Sequence, residues 1–200
     1  MTEFKNPFVD RADVLAWVEI YFRCDNGEEE KFLSAGQKLL NGIDLRHNFY
    51  EIYRWKLQSF FKWLFRRLSG FLAQLSDHQI EEAIATARLA TRDMPNSVID
   101  ALKTLDCLPG VGIPVASAIL ASMHPDQFTV IDRRAYRALG ATFRDRIPEG
   151  EYFQYSSFCA CWANEFKVTL RQYDQALWAK GAPRSSRSRK CVDPEGPIHS

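Results

Sequence analysis

The five residues Leu108-Pro109-Gly110-Val111-Gly112 constrain this chain more than any other stretch. Two glycines two apart allow backbone at positive φ and let a bulky partner come close, while Pro109 fixes one φ of the turn. A helix of small residues follows at once, through Val115, Ala116, Ser117, Ala118, Ile119 and Leu120. The first amides of such a helix have no partner inside it, so they face outward toward something anionic, and phosphate is the natural candidate. The structural alternative is that Gly110 and Gly112 only let two helices pack tightly. Farther on, Asp132 opens another helix in the string VIDRRAYRALG, a position where aspartate is also a common N-cap.

Around this corner the chain predicts an all-α fold. Asp10 to Arg23 repeats apolar residues every three to four positions, with Asp10 or Asp13 as N-cap, and Asp25-Asn26-Gly27 stops it. Glu28 to Leu40 is a second helix closed by Asn41-Gly42, and Asp44 to Leu68 is a long aromatic helix or helix pair. Ser76 with Gln79 forms a capping box for a helix reaching Thr91, and Ser97 to Thr104 is the first arm of the hairpin. After the Asp132 helix, Thr142 to Tyr152 reads as a loop, followed by helices over Tyr155 to Val168 and Leu170 to Lys180. FTVI at 128 to 131 looks extended, but alternating strand patterns are absent. A single domain over 1 to 180 is expected, with the hairpin at about 97 to 122. Residues 181 to 200 hold too few apolar side chains to offset their ordering entropy and should form a disordered basic tail.

The corner, the alanine-rich helix and the aspartate twenty residues after Gly112 together resemble the helix-hairpin-helix DNA glycosylase superfamily. Within it the chain looks most like a compact 8-oxoguanine-glycosylase-like group, through YRWK at 53 to 56, GVGIPVASAIL at 110 to 120 and DQALW at 174 to 178. The resemblance spans roughly residues 50 to 180. It implies helices in two lobes around a cleft and double-stranded DNA as the partner. It also implies phosphate contacts from Leu108, Pro109, Gly110, Val111, Gly112 and Ile113, and a potassium or sodium ion held by the hairpin carbonyls. Bifunctional members place a lysine two residues after the second hairpin glycine, where this chain has Pro114, so the expectation is a monofunctional enzyme. Some members carry an iron-sulfur cluster on four spaced cysteines; Cys159, Cys161 and Cys191 do not supply that set, so none is expected.

Charge and cysteine content narrow the setting. The formal net charge of the 200 residues is only +1, so the sum does not announce a nucleic-acid binder. The distribution is more telling: residues 52 to 76 carry Arg54, Lys56, Lys62, Arg66 and Arg67 without an acid, and residues 133 to 146 carry five arginines against Asp145. Arg133 and Arg134 are the basic residues expected to meet DNA, although a charge run is often only a solvated helix face. Five irregularly spaced cysteines, no leader pattern and no membrane-length apolar run predict reduced thiols and an intracellular protein, cytoplasmic or associated with nucleoid or nucleus.

An enzyme that cuts the bond between base and sugar must swing the nucleotide out of the duplex. A carboxylate in a water-poor cleft then stabilises the oxocarbenium-like sugar or takes a proton from attacking water. Asp132 is the candidate. Lys56 is a secondary catalytic candidate against the alternative of a solvated charge on a helix. Trp55 and Tyr136, with Phe60, Phe61 and Trp63, are candidate base-pocket aromatics, although such stripes more often pack a core. The four histidines show no metal-ligand spacing. The leading expectation is a DNA glycosylase hydrolysing the N-glycosidic bond of a damaged or modified base. A catalytically inactive DNA-binding protein and a helical interaction protein with no DNA role are the alternatives.

Overall fold

The computed structural model describes residues 2–58, 70–71, 73–144 and 146–182. The regular structure among them is helical: α1 (Arg11–Asp25), α2 (Glu28–Leu40), α3 (Leu45–Gln58), α4 (Asp77–Arg88), α5 (Pro95–Asp106), α6 (Ile113–Met123), α7 (Arg133–Ala138), α8 (Glu149–Glu165) and α9 (Leu170–Lys180). The all-α expectation therefore holds. The aromatic stretch expected to run on to Leu68 is seen as α3 up to Gln58, and 59–69, with Phe60, Phe61, Lys62, Trp63, Arg66 and Arg67, lies outside the described residues.

Local chemistry sets the helix ends. The Asp10 carboxylate accepts the Asp13 amide at 2.9 Å and starts α1. Capping boxes start α4 at Ser76/Gln79 and α9 at Thr169/Gln172, satisfying amides that the first turn leaves unpaired. Two helices begin earlier than the sequence pattern suggests. Proline at its first position lets α5 start at Pro95 rather than Ser97, because the missing N–H would have had no partner there anyway. Similarly α8 starts at Glu149, after Pro148, with Glu149 and Glu151 in its first turn, where acidic groups meet the positive helix end.

Helix α6 lies at the centre because it has no polar face. Every one of its residues except Pro114 is buried, and α2, α3 and α5 pack around it. Gly36 allows α2 to come so close that a Cβ there would sit 2.0 Å from the Ser122 carbonyl oxygen. Helix α1 crosses back to lie along α9, which also touches α7 and α8. The molecule thus has a middle half (α2–α6) and a half built from both ends of the chain (α1, α7–α9). One contiguous buried cluster from Phe8 to Leu177 joins them.

The chain is still ordered where the tail was expected to begin. Gly181 is buried beside the Arg134 carbonyl, and its own carbonyl accepts Arg137 Nη1 at 2.9 Å. From residue 183 onward the expected tail lies outside the described residues. No helix among the described residues is long and apolar enough to cross a membrane.

Candidate active site between the two halves

The 128–131 segment is extended but pairs with no strand, because side chains take up its backbone groups instead. Val130 N donates to Asp174 Oδ2 at 3.2 Å and Ile131 N to Ser117 Oγ at 3.0 Å. Tyr152 Oη donates to Thr129 O at 3.1 Å, Tyr155 Oη to Val130 O at 3.2 Å, and Lys56 Nζ to Ile131 O at 2.9 Å. Five side chains from α3, α6, α8 and α9 thereby fix the approach to the next residue, Asp132.

Asp132 is the N-cap of α7, with Oδ1 accepting the Arg134 amide at 2.6 Å. Its other oxygen, Oδ2, accepts Lys56 Nζ at 3.2 Å. The helix cap and the contact with Lys56 therefore use different oxygens of one carboxylate. Burial alone would push its pKa up. The Lys56 charge and hydrogen bond, with the Arg134 amide and guanidinium, outweigh that and hold it below the usual carboxylate range. Asp132 retains 7 % of its surface and Lys56 retains 4 %. Both line a cleft of about 100 Å³ at the seam between the halves, together with Trp55, Arg171, Asp174 and Trp178.

Behind the cleft is a buried ionic network. Arg171 donates to both oxygens of Glu29, at 2.7 and 2.6 Å, and also pairs with Asp174 Oδ2. Tyr21 Oη and Gln175 Nε2 complete the shell of Glu29 at 2.5 and 2.9 Å. The Arg171 guanidinium lies 4.9 Å from the Phe32 ring and 5.5 Å from the Trp55 ring. Burial drives the Glu29 pKa up, but Arg171 and the hydrogen bonds bring it below the ordinary value. For Asp174 burial wins against Arg171, the Val130 amide and Lys56, and pushes it up to about 6.

The hairpin corner reaches this site through α3. Val111 N donates to Leu108 O at 3.0 Å, and with Pro109 second and Gly110 third at φ +82° the corner follows the residue pattern of a type II turn. Gly112 does not share that role: at φ −93°, ψ 174° it is ordinary extended backbone capping α6. Of the two glycines that allow positive φ, Gly110 alone uses it. Val115 N and Ala116 N both return to Gly112 O at 2.9 Å, and Pro114 has no N–H, so the outward donors reduce to the amides of Gly110, Gly112 and Ile113. Leu108, Val111 and Ile113 bury their side chains and anchor the corner, whereas Pro109 is exposed. A Cβ on Gly110 would lie 3.0 Å from Tyr53 Oη, and Lys56 follows Tyr53 by three residues on the same face of α3. One helical turn therefore connects the corner to the carboxylate.

No family model, curated protein or solved structure matches the chain. The site accordingly stands on its own geometry. Among the described residues no group of three or more His, Cys, Asp or Glu side chains is placed to hold a metal ion. Cys107, Cys159 and Cys161 are free thiols, but Cys24, which lines the cleft, is disulfide-bonded, contrary to the expectation of reduced cysteines throughout.

The expected residues are distributed unevenly. Asp132, Lys56 and Trp55 meet at the cleft, where Trp55 also stacks on Phe32 with ring centroids 3.9 Å apart. Tyr136 does not line it: fully buried, it packs against Phe4, Phe143 and Tyr155 and donates to Glu151 at 3.1 Å. Its ring fills the core, and that removes it from the base-pocket candidates. Arg133 is exposed, 5.6 Å from the Phe143 ring, whereas Arg134 lies 3.9 Å over the ring of Trp178. Glu29, Arg171 and Asp174 were not anticipated. Glu29 had a signal, since it shares a helical face with Phe32, Gly36 and Leu39 and so belongs to the buried stripe rather than to the acidic surface run.

Proposed function

We propose that this chain is a helix-hairpin-helix DNA N-glycosylase, which grips duplex DNA through the 108–113 corner and cleaves the bond between an extruded base and its sugar, with net hydrolysis. The observation that supports it most is Asp132: an ionised, nearly enclosed carboxylate that lines a cleft, with one oxygen capping α7 and the other accepting from Lys56. A carboxylate held charged in a site with little water stabilises positive charge developing at C1′.

The corner supports the DNA half of the proposal through backbone rather than side chains, as expected for contacts that position a duplex without reading its sequence. Asp106 sits close by, its Oδ1 4.0 Å from where a Gly112 Cβ would lie, and burial together with Glu149 raises its pKa against the pull of Arg146. An approaching phosphate meets that acid, so Asp106→Asn is expected to tighten duplex binding. The cleft as it stands has room for a few waters, and a base enters by displacing side chains at the seam.

The proposal is tested by incubating wild type and Asp132→Asn with duplexes bearing oxidised, deaminated or alkylated bases and measuring free base by mass spectrometry. Wild type is expected to release at least one base, and the variant to be slower by about 100-fold or more. Equal release by both proteins contradicts the role of Asp132, and release by neither removes the glycosylase assignment. The small cleft favours one second reading, a DNA-binding protein without catalysis, which predicts duplex binding without base release.

A further inference from the structure

Helix α7 presents two functional faces. Asp132 and Ala135, three residues apart, line the seam cleft, while Arg133, Arg137 and Gly140 recur at helical spacing along the adjoining face. With Ala141 and Phe143 from the loop after α7, these three line a surface hollow of about 590 Å³, a volume that suits a small ligand. Gly140, at φ +71°, would set a Cβ with no heavy atom within 4 Å, so the hollow is unfilled there. Its charge is unbalanced, because no carboxylate lines it among the described residues. Arg137 Nη1 donates to the Gly181 carbonyl at 2.9 Å, which fixes the guanidinium without neutralising it. Arg171, by contrast, is matched by Glu29 and Asp174. Arg133 is exposed, 5.6 Å from the Phe143 ring centroid, whereas Arg134 lies flush on Trp178 at 3.9 Å. Phe143 thus lines the hollow with part of its ring uncovered, anchored edge-on against Tyr136 at 5.3 Å.

We propose that this hollow binds an unpaired nucleotide of a single DNA strand, with its phosphate between Arg133 and Arg137 and its base against Phe143. Guanidinium groups offer planar, paired donors that match phosphate oxygens. An aromatic face stacks on any base, so the site is indifferent to sequence. A duplex keeps its bases paired and stacked inside, and the ring therefore selects an unpaired strand. The chain past Phe143 carries two further exposed arginines, Arg144 and Arg146, which extends the positive surface beyond one nucleotide and favours a continuing strand over a free mononucleotide. The inference goes beyond the glycosylase proposal and does not depend on it, since neither the 108–113 corner nor Asp132 takes part.

Fluorescence anisotropy of the full chain tests this with two labelled single strands of about eight nucleotides, one of thymidines and one lacking every base. Wild type is expected to bind the thymidine strand at least about fivefold more tightly than the baseless strand. Phe143→Leu, which keeps an apolar contact with Tyr136, should erase that preference. The double variant Arg133→Gln/Arg137→Gln should weaken both strands by about tenfold, and Arg92→Gln, an exposed arginine on the middle half, should change neither. The two arginines are exposed, so their result stands even where thermal unfolding shows that Phe143→Leu does not fold. Equal binding of the two strands by wild type reduces the hollow to an anion patch and overturns the base contact. Unchanged binding in the arginine double variant, or an equal loss in Arg92→Gln, overturns the site. Displacement of the thymidine strand by thymidine 5′-monophosphate at equal nucleotide concentration overturns the strand in favour of a free nucleotide.

Discussion

The carboxylate of Asp132 serves the α7 N-terminus and Lys56 at once, so its two neighbours should be energetically coupled. Removing either partner of the buried pair leaves the other charged and uncompensated, at a cost of about 3 kcal/mol or more. Lys56→Met and Asp132→Asn are each expected to destabilise to that extent, and the double variant by clearly less than the sum. Urea unfolding of the four proteins measures this, and strict additivity would show that the pair does not interact. Asn also caps helices well, which makes Asp132→Asn a probe of the charge rather than of the cap. Asp174 gives a pH signature of opposite sign to that of Asp132. Its pKa, raised to about 6 in the fold, means that the folded chain holds a proton which the unfolded chain has lost. The stability it contributes is full below the ordinary carboxylate value near 4 and is lost as pH rises through about 6. The penalty of Asp174→Asn should therefore shrink between about pH 4 and pH 6. A penalty that grows over that interval would mean Arg171 holds Asp174 ionised instead. Asp132, held below its ordinary value, contributes above that value and loses its contribution as pH falls through its lowered folded pKa.

At the scale of the helices, two glycines separate packing from contact. A Cβ at Gly36 would meet the Ser122 carbonyl at 2.0 Å, so Gly36→Ala must push α2 away from α6, and a loss of about 3 kcal/mol is expected, toward the upper end for overpacked cores. Gly112 has extended backbone, and a Cβ there would have only ordinary neighbours at 3.6 and 4.0 Å. Gly112→Ala should change stability by less than about 0.5 kcal/mol while, on the proposed function, weakening duplex binding, because the added methyl would stand on the corner assigned to phosphate. Unchanged affinity would count against that corner as the contact. The helices themselves were legible in sequence because their signals are local: Asp10 before α1, Ser76 with Gln79 before α4, and unbroken small apolar residues for the buried α6. The start of α8 was hidden because Pro148 and Gly150 read as loop punctuation. Lys56 and Asp132 were both visible as candidates, but their meeting was not, since the contact spans 76 residues. The Glu29–Arg171 pair, 142 residues apart, was invisible for the same reason. Tyr136 misled because its spacing beside Asp132 says nothing about which way α7 turns its rings.

For the whole molecule, the division into a middle half and a half made of both chain ends distributes charge unevenly. The seam gathers Lys56 and Arg171 against Glu29, Asp132 and Asp174, while Arg133, Arg137, Arg144 and Arg146 lie exposed on the end half. If about four cations neutralise phosphates, duplex affinity should fall on the order of 100-fold between about 50 and 200 mM monovalent salt, with log Kd linear in log salt. The account depends most on DNA with an emptied nucleotide position being the preferred ligand of the seam. The measurement that addresses it is fluorescence anisotropy with two duplexes of identical sequence, one intact and one carrying a stable abasic-site analogue, each titrated across that salt range. The account predicts tighter binding to the abasic analogue by about tenfold or more, with similar salt slopes for both. Equal affinity for the two duplexes, or binding indifferent to salt, would contradict it.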